Sequence, residues 1–312
     1  MKTVEPKQRF NRYSDYLKRK FGQSIRKIPI NAGFTCPNRD GSKGIGGCTY
    51  CNNVSFNPFY GQGEKSVLQQ LEEGLRFYSK RYSADKFLAY FQAYTNTYAE
   101  LKKLKETYSQ VLDHPQIIGI VLGTRPDCVN EIMLDYFQEL SRNYYIAIEY
   151  GIESSNNATL AAVNRCHSYE ESIEAIEQTA KRGIEVGAHI ILGLPGETKD
   201  MMLNTADRIS RLPLNFLKIH QLQIIKQTMM AKQFKETPDM FTSFSPEEYI
   251  DLVIDFLERL NPGIIIERFI SESPPKLIIY PRWKGLRTYD FVNLIEKRLD
   301  ERNTFQGKLF TG

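Results

Sequence analysis

Cys36, Cys48 and Cys51 stand in a C-x11-C-x2-C arrangement inside AGFTCPNRDGSKGIGGCTYCNN, and their thiols are the groups best suited to chemistry in the chain. Close-set thiolates ligate soft metals, and Gly41, Gly44, Gly46 and Gly47 let the intervening backbone wrap tightly around such a centre. Three ligands are one short of a closed structural zinc site, which Cys128, Cys166, His167, His189 or His220 could complete. Three are also a natural count for a four-iron cluster with one iron left open, since full ligation takes a fourth cysteine. The residues alone leave cluster, zinc and no metal open, and a disulfide is disfavoured where thiols stay reduced.

Other polar residues fall at the ends of short apolar runs. Gln92 follows FLAYF, and Arg125 and Asp127 flank Pro126 as a charged pair able to fix a loop. Glu149 and Glu153 alternate with Gly151 along EYGIES, so both face one side of a strand, with Ser154 as a local donor. Any such carboxylate, once buried, needs a partner. Arg165 and His167 sit in NRCH, and GLPGET offers Gly193 and Gly196 for close backbone approach and Thr198 as a helix cap. His189, central in an apolar strand, reads as a satisfied interior residue. His220 alternates into one face of KIHQL, and Cys128 reads as a buried thiol heading an apolar helical face.

The elements that must position these residues are legible as period changes. Candidate strands cover 27–30, 87–91, 117–122, 145–150, 185–192, 216–222 and 264–269, and helical periodicity is clearest over 67–78, 98–112, 129–139, 169–181, 198–211 and 246–260. Ser245-Pro246-Glu247-Glu248 is a helix start with a serine cap and proline in the first turn. Strands alternating with crossover helices predict an α/β fold, a full or partial (β/α) TIM-type barrel, whose polar strand ends form the site. The expected organisation is an N-terminal extension over 1–26, laid across the barrel or over its substrate, a barrel over 27–293 and a tail over 294–312.

The chain resembles the radical S-adenosylmethionine (SAM) superfamily, and within it the bacterial YhcC/YtqA-like family, distant relatives of the radical SAM domain of the Elongator catalytic subunit. The resemblance rests on CPNRDG...GGC-x-YC, whose first gap is longer than the usual x3 spacing, and on GLPGE at a late strand end, and it runs from about Tyr13 to Asn293. Cys166 stands where related chains tend to carry glycine. The resemblance implies that Cys36, Cys48 and Cys51 ligate a [4Fe-4S] cluster and that SAM chelates the open iron. An electron from a donor such as flavodoxin or ferredoxin then releases a 5′-deoxyadenosyl radical. It further implies SAM contacts from Gln92, Arg125, Asp127, Glu149, Glu153, Ser154, Arg165, His167, Gly193 and Gly196, with Tyr50 and His220 at the reacting centre.

Composition bounds the partners. No apolar run approaches the roughly 20 residues of a membrane span, and the first ten residues hold no signal-peptide core, which places the chain in the cytoplasm by default. The net charge is only +4, yet residues 1–27 carry nine Lys or Arg against Glu5 and Asp15, and 276–298 carry six against Asp290 and Glu296. Arg9, Arg12, Arg282 and Arg287 are therefore candidate contacts to a polyanion, with Trp283 as a stacking ring or an aromatic plug. Together with the Elongator resemblance they point to a tRNA substrate, such as a wobble uridine side chain. Radical chemistry on a small metabolite or protein, and a non-enzymatic zinc-stabilised RNA-binding protein, are the alternatives. Phosphate-loop, HExxH and G-x-S-x-G motifs are absent.

Overall fold

The structure is a computed structural model that describes residues 8–53, 65–82, 84–283 and 286–312. Of the basic residues counted above, Lys2, Lys7 and Lys284 lie outside the described residues. In chain order the elements are α1 (Tyr13–Phe21), β1 (Arg26–Ile30), α2 (Val67–Arg81), β2 (Phe87–Phe91), α3 (Leu101–Leu112), β3 (Ile117–Thr124), α4 (Glu131–Leu140), β4 (Tyr145–Glu153), α5 (Asn157–Ala162), α6 (Tyr169–Lys181), β5 (Glu185–Leu192), α7 (Lys199–Ile209), β6 (Phe216–Gln221), β7 (Ile224–Ile225), α8 (Met229–Glu236), α9 (Pro246–Arg259), β8 (Ile265–Arg268), β9 (Ile278–Tyr280) and α10 (Thr288–Glu301).

Seven strands form one parallel sheet in the order β1-β2-β3-β4-β5-β6-β8. Its strands are covered on both faces, so they read as continuous apolar runs; β2 is buried at all five positions. The sheet curls. Lys27 on the first strand lies 2.6 Å from Glu267 on the last and 2.7 Å from Glu149 on the central one, which brings the two edges toward each other across an interior. The result is a partial barrel, with β7 and β9 forming a separate antiparallel pair.

Helix starts follow local chemistry. Ser66, Ser168 and Ser245 each accept from the backbone three residues on, and the residue there returns a side-chain bond. Thr198 caps α7, as expected from its position. The helix expected from Tyr98 starts instead at Leu101, because Tyr98 N–H turns back to the Thr95 carbonyl (3.1 Å).

The N-terminal segment does not lie over the cysteine loop. Tyr13, Leu17 and Ile25 pack against Leu88, Val121, Tyr145 and Phe216 at the beginnings of the strands, so α1 plugs the N-terminal mouth. Fully burying side chains of this size contributes about 1.5–3 kcal/mol each. The C-terminal residues close the same end: Gln306 N–H donates to the Arg9 carbonyl at 2.9 Å, and Thr304 is fully buried. Among the described residues no helix is long and apolar enough to cross a membrane.

Candidate active site

The loop carrying the cysteines leaves the C-terminal end of β1 and is tied by its own backbone. Arg39 N–H reaches the Cys36 carbonyl (2.8 Å), Gly47 N–H the Asn38 carbonyl (2.7 Å) and Cys51 N–H the Cys48 carbonyl (2.9 Å). Gly47 has φ +83°, and a Cβ there would sit 2.9 Å from Arg39 Nε, so glycine is required at this turn. Arg39 in turn donates to the Cys51 carbonyl at 3.1 Å. Thr49 joins the loop to the rest of the molecule, donating to Val163 and accepting from Met230.

All three thiols line one cavity, open at the C-terminal ends of the strands. Cys48 is buried, with Arg165 Nη1 3.5 Å and Asn38 Nδ2 3.6 Å from its Sγ. Burial, then repulsion from Cys48, raises the pKa of the Cys51 thiol, while Arg39 opposes the shift. Among the described residues no three His, Cys, Asp or Glu side chains converge on one metal-ion position. Cys166 Sγ faces Asn164 Oδ1 (3.3 Å), and the Cys128 thiol is pushed up to about 12, by burial first and then by Asp127. Three thiols around one cavity, with cationic and amide N–H donors at a sulfur, fit a larger iron-sulfur centre, whose potential such donors tune.

The strand-end residues divide into two groups. Gln92, Arg125, Glu149, Glu153, Arg165, His220 and Tyr50 are on the cavity wall. Arg125 is held by paired bonds to Asp127, both 2.9 Å, leaving its Nη1 buried without a partner among the described residues. Burial alone would raise the Asp127 carboxyl, but the hydrogen bond and charge of Arg125, with Lys43 at 2.7 Å, hold it near 2. Glu153 adopts φ +68° beyond a register shift in β4 and pairs with Arg165 at 3.4 Å. Burial raises its carboxyl, and Arg165 and Arg125 oppose this. Arg165 also donates to the Gly151 carbonyl at 2.6 Å. Tyr50 packs against the cluster around Val163, Leu222 and Met230.

Asp127, Ser154, His167, Gly193 and Gly196 are not on that wall. Ser154 donates to Glu197, so its hydroxyl holds the turn after β5. Gly193 (φ +91°) is required because a Cβ would meet the Phe244 ring at 3.1 Å, and Gly196 N–H donates to Met240. His167, whose Nδ1 faces the Ser168 carbonyl at 3.0 Å, is pushed down to about 3, by burial first and then by Arg165.

The basic candidates are also not gathered there. Arg9 pairs with Asp300 (2.8 Å) and Arg12 with Glu296, both at the plugged end. Trp283 donates to the Phe244 carbonyl at 3.0 Å and packs between Tyr249 and Phe291, so it is an aromatic plug in the helical layer and no free stacking ring. Arg282 and Arg287 are exposed.

A layer of charge that the sequence reading did not assemble lies beneath the cavity. Lys218, 1% exposed, joins Glu149 and the Tyr90 hydroxyl (2.8 Å) and sits 3.2 Å from Glu267. His189 is the satisfied interior histidine expected, with Nε2 2.9 Å from Glu149; burial, then Lys218, lowers it to about 4. Burial lowers Lys218 to about 8 against the pull of Glu149. A lysine between apolar neighbours in LKI was the available signal, but its partners lie 49 or more residues away and only the topology unites them.

The model of the radical SAM superfamily matches residues 31–209, and that of the radical SAM C-terminal domain matches 214–301. The chain belongs to the radical SAM superfamily. It is 34% identical to YtqA of Bacillus subtilis, covering 97% of this chain and 93% of that one, and 33% identical to YhcC of Escherichia coli, covering 91% and 90%. A tRNA uridine(34) acetyltransferase of Methanocaldococcus infernus is 23% identical over 65% of this chain and 36% of its own length. Among solved structures, archaeal Elp3 of Methanocaldococcus infernus superposes with a TM-score of 0.65 at 17% identity, covering 90% of this chain and 64% of that one. Radical SAM proteins use a [4Fe-4S] cluster and SAM, which when bound supply a 5′-deoxyadenosyl radical for hydrogen abstraction. The cavity's residues suit this. Arg165 and Asn38 place N–H donors at a sulfur, Arg125 and Glu153 line the wall as one basic and one acidic group, and Ile191, Leu222 and Ile225 add apolar surface.

Proposed function

We propose that Cys36, Cys48 and Cys51 hold the cluster and that the cavity wall from Gln92 through Arg125, Glu153 and Arg165 holds SAM. The observation that carries this is the convergence of all three thiols on one cavity with Arg125 Nη1 and Arg165 Nε, which are buried without a partner among the described residues. Glu153 is the acceptor available to the SAM amino group or ribose hydroxyls. Arg125, positioned by Asp127, is the donor available to its carboxylate. A one-electron donor such as flavodoxin or ferredoxin supplies the reducing equivalent.

For the substrate we propose a tRNA base, with a wobble uridine side chain as the target. Similarity to a tRNA uridine(34) acetyltransferase supports this reading, and Arg282 and Arg287 are exposed cations able to meet the backbone phosphates. The nucleoside profile of tRNA from a strain lacking the gene tests it: a missing modified uridine and an accumulated precursor are expected, and an unchanged profile would sink it. A small-molecule substrate is the second reading, favoured by the charged cavity floor and by the ion pairing of Arg9 and Arg12.

A further inference from the structure

The floor of the cavity, below Gln92 and Arg125, is formed by Tyr90, Glu149, His189, His220 and Arg268. None of the thiols belongs to this layer. Its cations are Lys27, Lys218 and Arg268, and its carboxylates are Glu149 and Glu267. Lys27 and Lys218 are both paired to those two glutamates, which consumes the negative charge. Arg268 lies at the C-terminal end of β8, opposite Lys218 in the β6–β8 ladder, and its guanidinium has no hydrogen-bond or ion-pair partner among the described residues. It is half-buried and lines the cavity. Beside it His220 Nε2 is buried without a partner among the described residues, its ring 5.5 Å from that of His189. Burial, reinforced by Arg268 and His189, keeps His220 neutral near pH 7, and burial with Lys218 does the same for His189. The layer therefore carries three positive charges against two negative, an excess of +1, and the unmatched cation is the one facing open space.

A half-buried guanidinium beside an unpartnered imidazole costs free energy unless something occupies the space before them. The group that satisfies both is an oxyanion, which accepts the planar fork of Arg268 and one N–H from His220. Resting on the reading of this cavity as the active site, we propose that its floor is an oxyanion subsite: Arg268 and His220 receive a carboxylate or phosphate of the substrate and so hold the reacting carbon between the floor and the cysteine loop. Neither residue is asked to transfer an electron or a proton.

The full-length, cluster-loaded protein, labelled with 13C and 15N in its histidines, is titrated with acetate or inorganic phosphate at ionic strength held constant with chloride. The chain has four histidines, so single substitutions assign the signals. The His220 resonances should shift saturably with at least one of the two anions, and the tighter one names the group. Arg268→Gln should weaken that binding about 10- to 100-fold, the scale of a charge-assisted bond, while Arg268→Lys retains most of it. Absence of a saturable His220 shift, or equal affinity in Arg268→Gln, would overturn the subsite. Should Arg268→Gln fail to fold, Arg268→Met takes its place with the same His220 readout, and unchanged affinity in that variant overturns the subsite too. Formation of 5′-deoxyadenosine in the same samples reads the radical assignment separately: SAM cleavage without anion binding removes only the subsite.

Discussion

At the N-terminal ends of the strands, Tyr13, Leu17 and Ile25 fill the interior against Leu88, Tyr145 and Phe216, and the charged groups around them are paired: Arg9 with Asp300, Lys20 with Glu185, Arg12 with Glu296. Only the Tyr13 hydroxyl there is buried without a partner among the described residues. At the C-terminal ends the same interior holds three thiols, and Arg125 Nη1, Arg165 Nε and His220 Nε2 are buried without a partner among the described residues. One end therefore contributes stability through apolar burial, while the other keeps polar groups whose desolvation is offset only when ligands arrive. Substitutions at the two ends should separate these roles.

The largest effect is expected at the open mouth. Arg165→Met removes the partner of buried Glu153 and the donor to Cys48, and breaking a buried pair costs about 3–5 kcal/mol. Denaturant unfolding measures the loss, and iron retained after anaerobic purification should fall with it. At the closed mouth, Leu17→Ala, where the side chain is 3% exposed, should cost about 2–5 kcal/mol while leaving iron content unchanged. Loss of iron without loss of stability in that variant would break the division.

Acid should act through the Arg125 anchor. Asp127 is held near 2 in the folded chain, below its ordinary value of 3.8, so its contribution is fully present above about pH 4 and is lost as pH falls toward 2. A displacement of that size corresponds to about 2 kcal/mol, and the wild type should lose that much more stability than Asp127→Asn between pH 5 and pH 2. Equal acid sensitivity of the two proteins would remove Asp127 as the anchor. The smallest effect belongs to the partly exposed pairs: Arg12→Ala should cost about 0–1 kcal/mol. It should also leave the salt dependence of tRNA binding unchanged, whereas Arg282→Ala combined with Arg287→Ala should reduce it.

The strand and helix order was readable because parallel strands covered on both faces are continuous apolar runs and the serine caps are local. Glu149 and Glu153 were placed correctly on one wall by their period-2 spacing, although the register shift near Gly151 was not visible. The turn motif alone did not reveal that Phe244, Met240 and Glu197 pack around Gly193, Gly196 and Ser154. Trp283 stayed open between stacking ring and plug, and Arg12 stayed a candidate contact, because their partners, Tyr249 and Glu296, come from other elements. The interior layer of Lys27, Lys218, Glu267 and Arg268 was missed entirely, since its members come from three strands and Lys27 and Glu267 are 240 residues apart.

The most direct test of the open mouth as a radical SAM site is to incubate anaerobically purified, reduced protein with SAM and measure 5′-deoxyadenosine and iron, beside Cys48→Ser. The account predicts about four irons per chain and steady formation of 5′-deoxyadenosine in the wild type, with both lost and the fold retained in Cys48→Ser. A colourless wild-type protein holding a single zinc, or 5′-deoxyadenosine formed equally by Cys48→Ser, would contradict it.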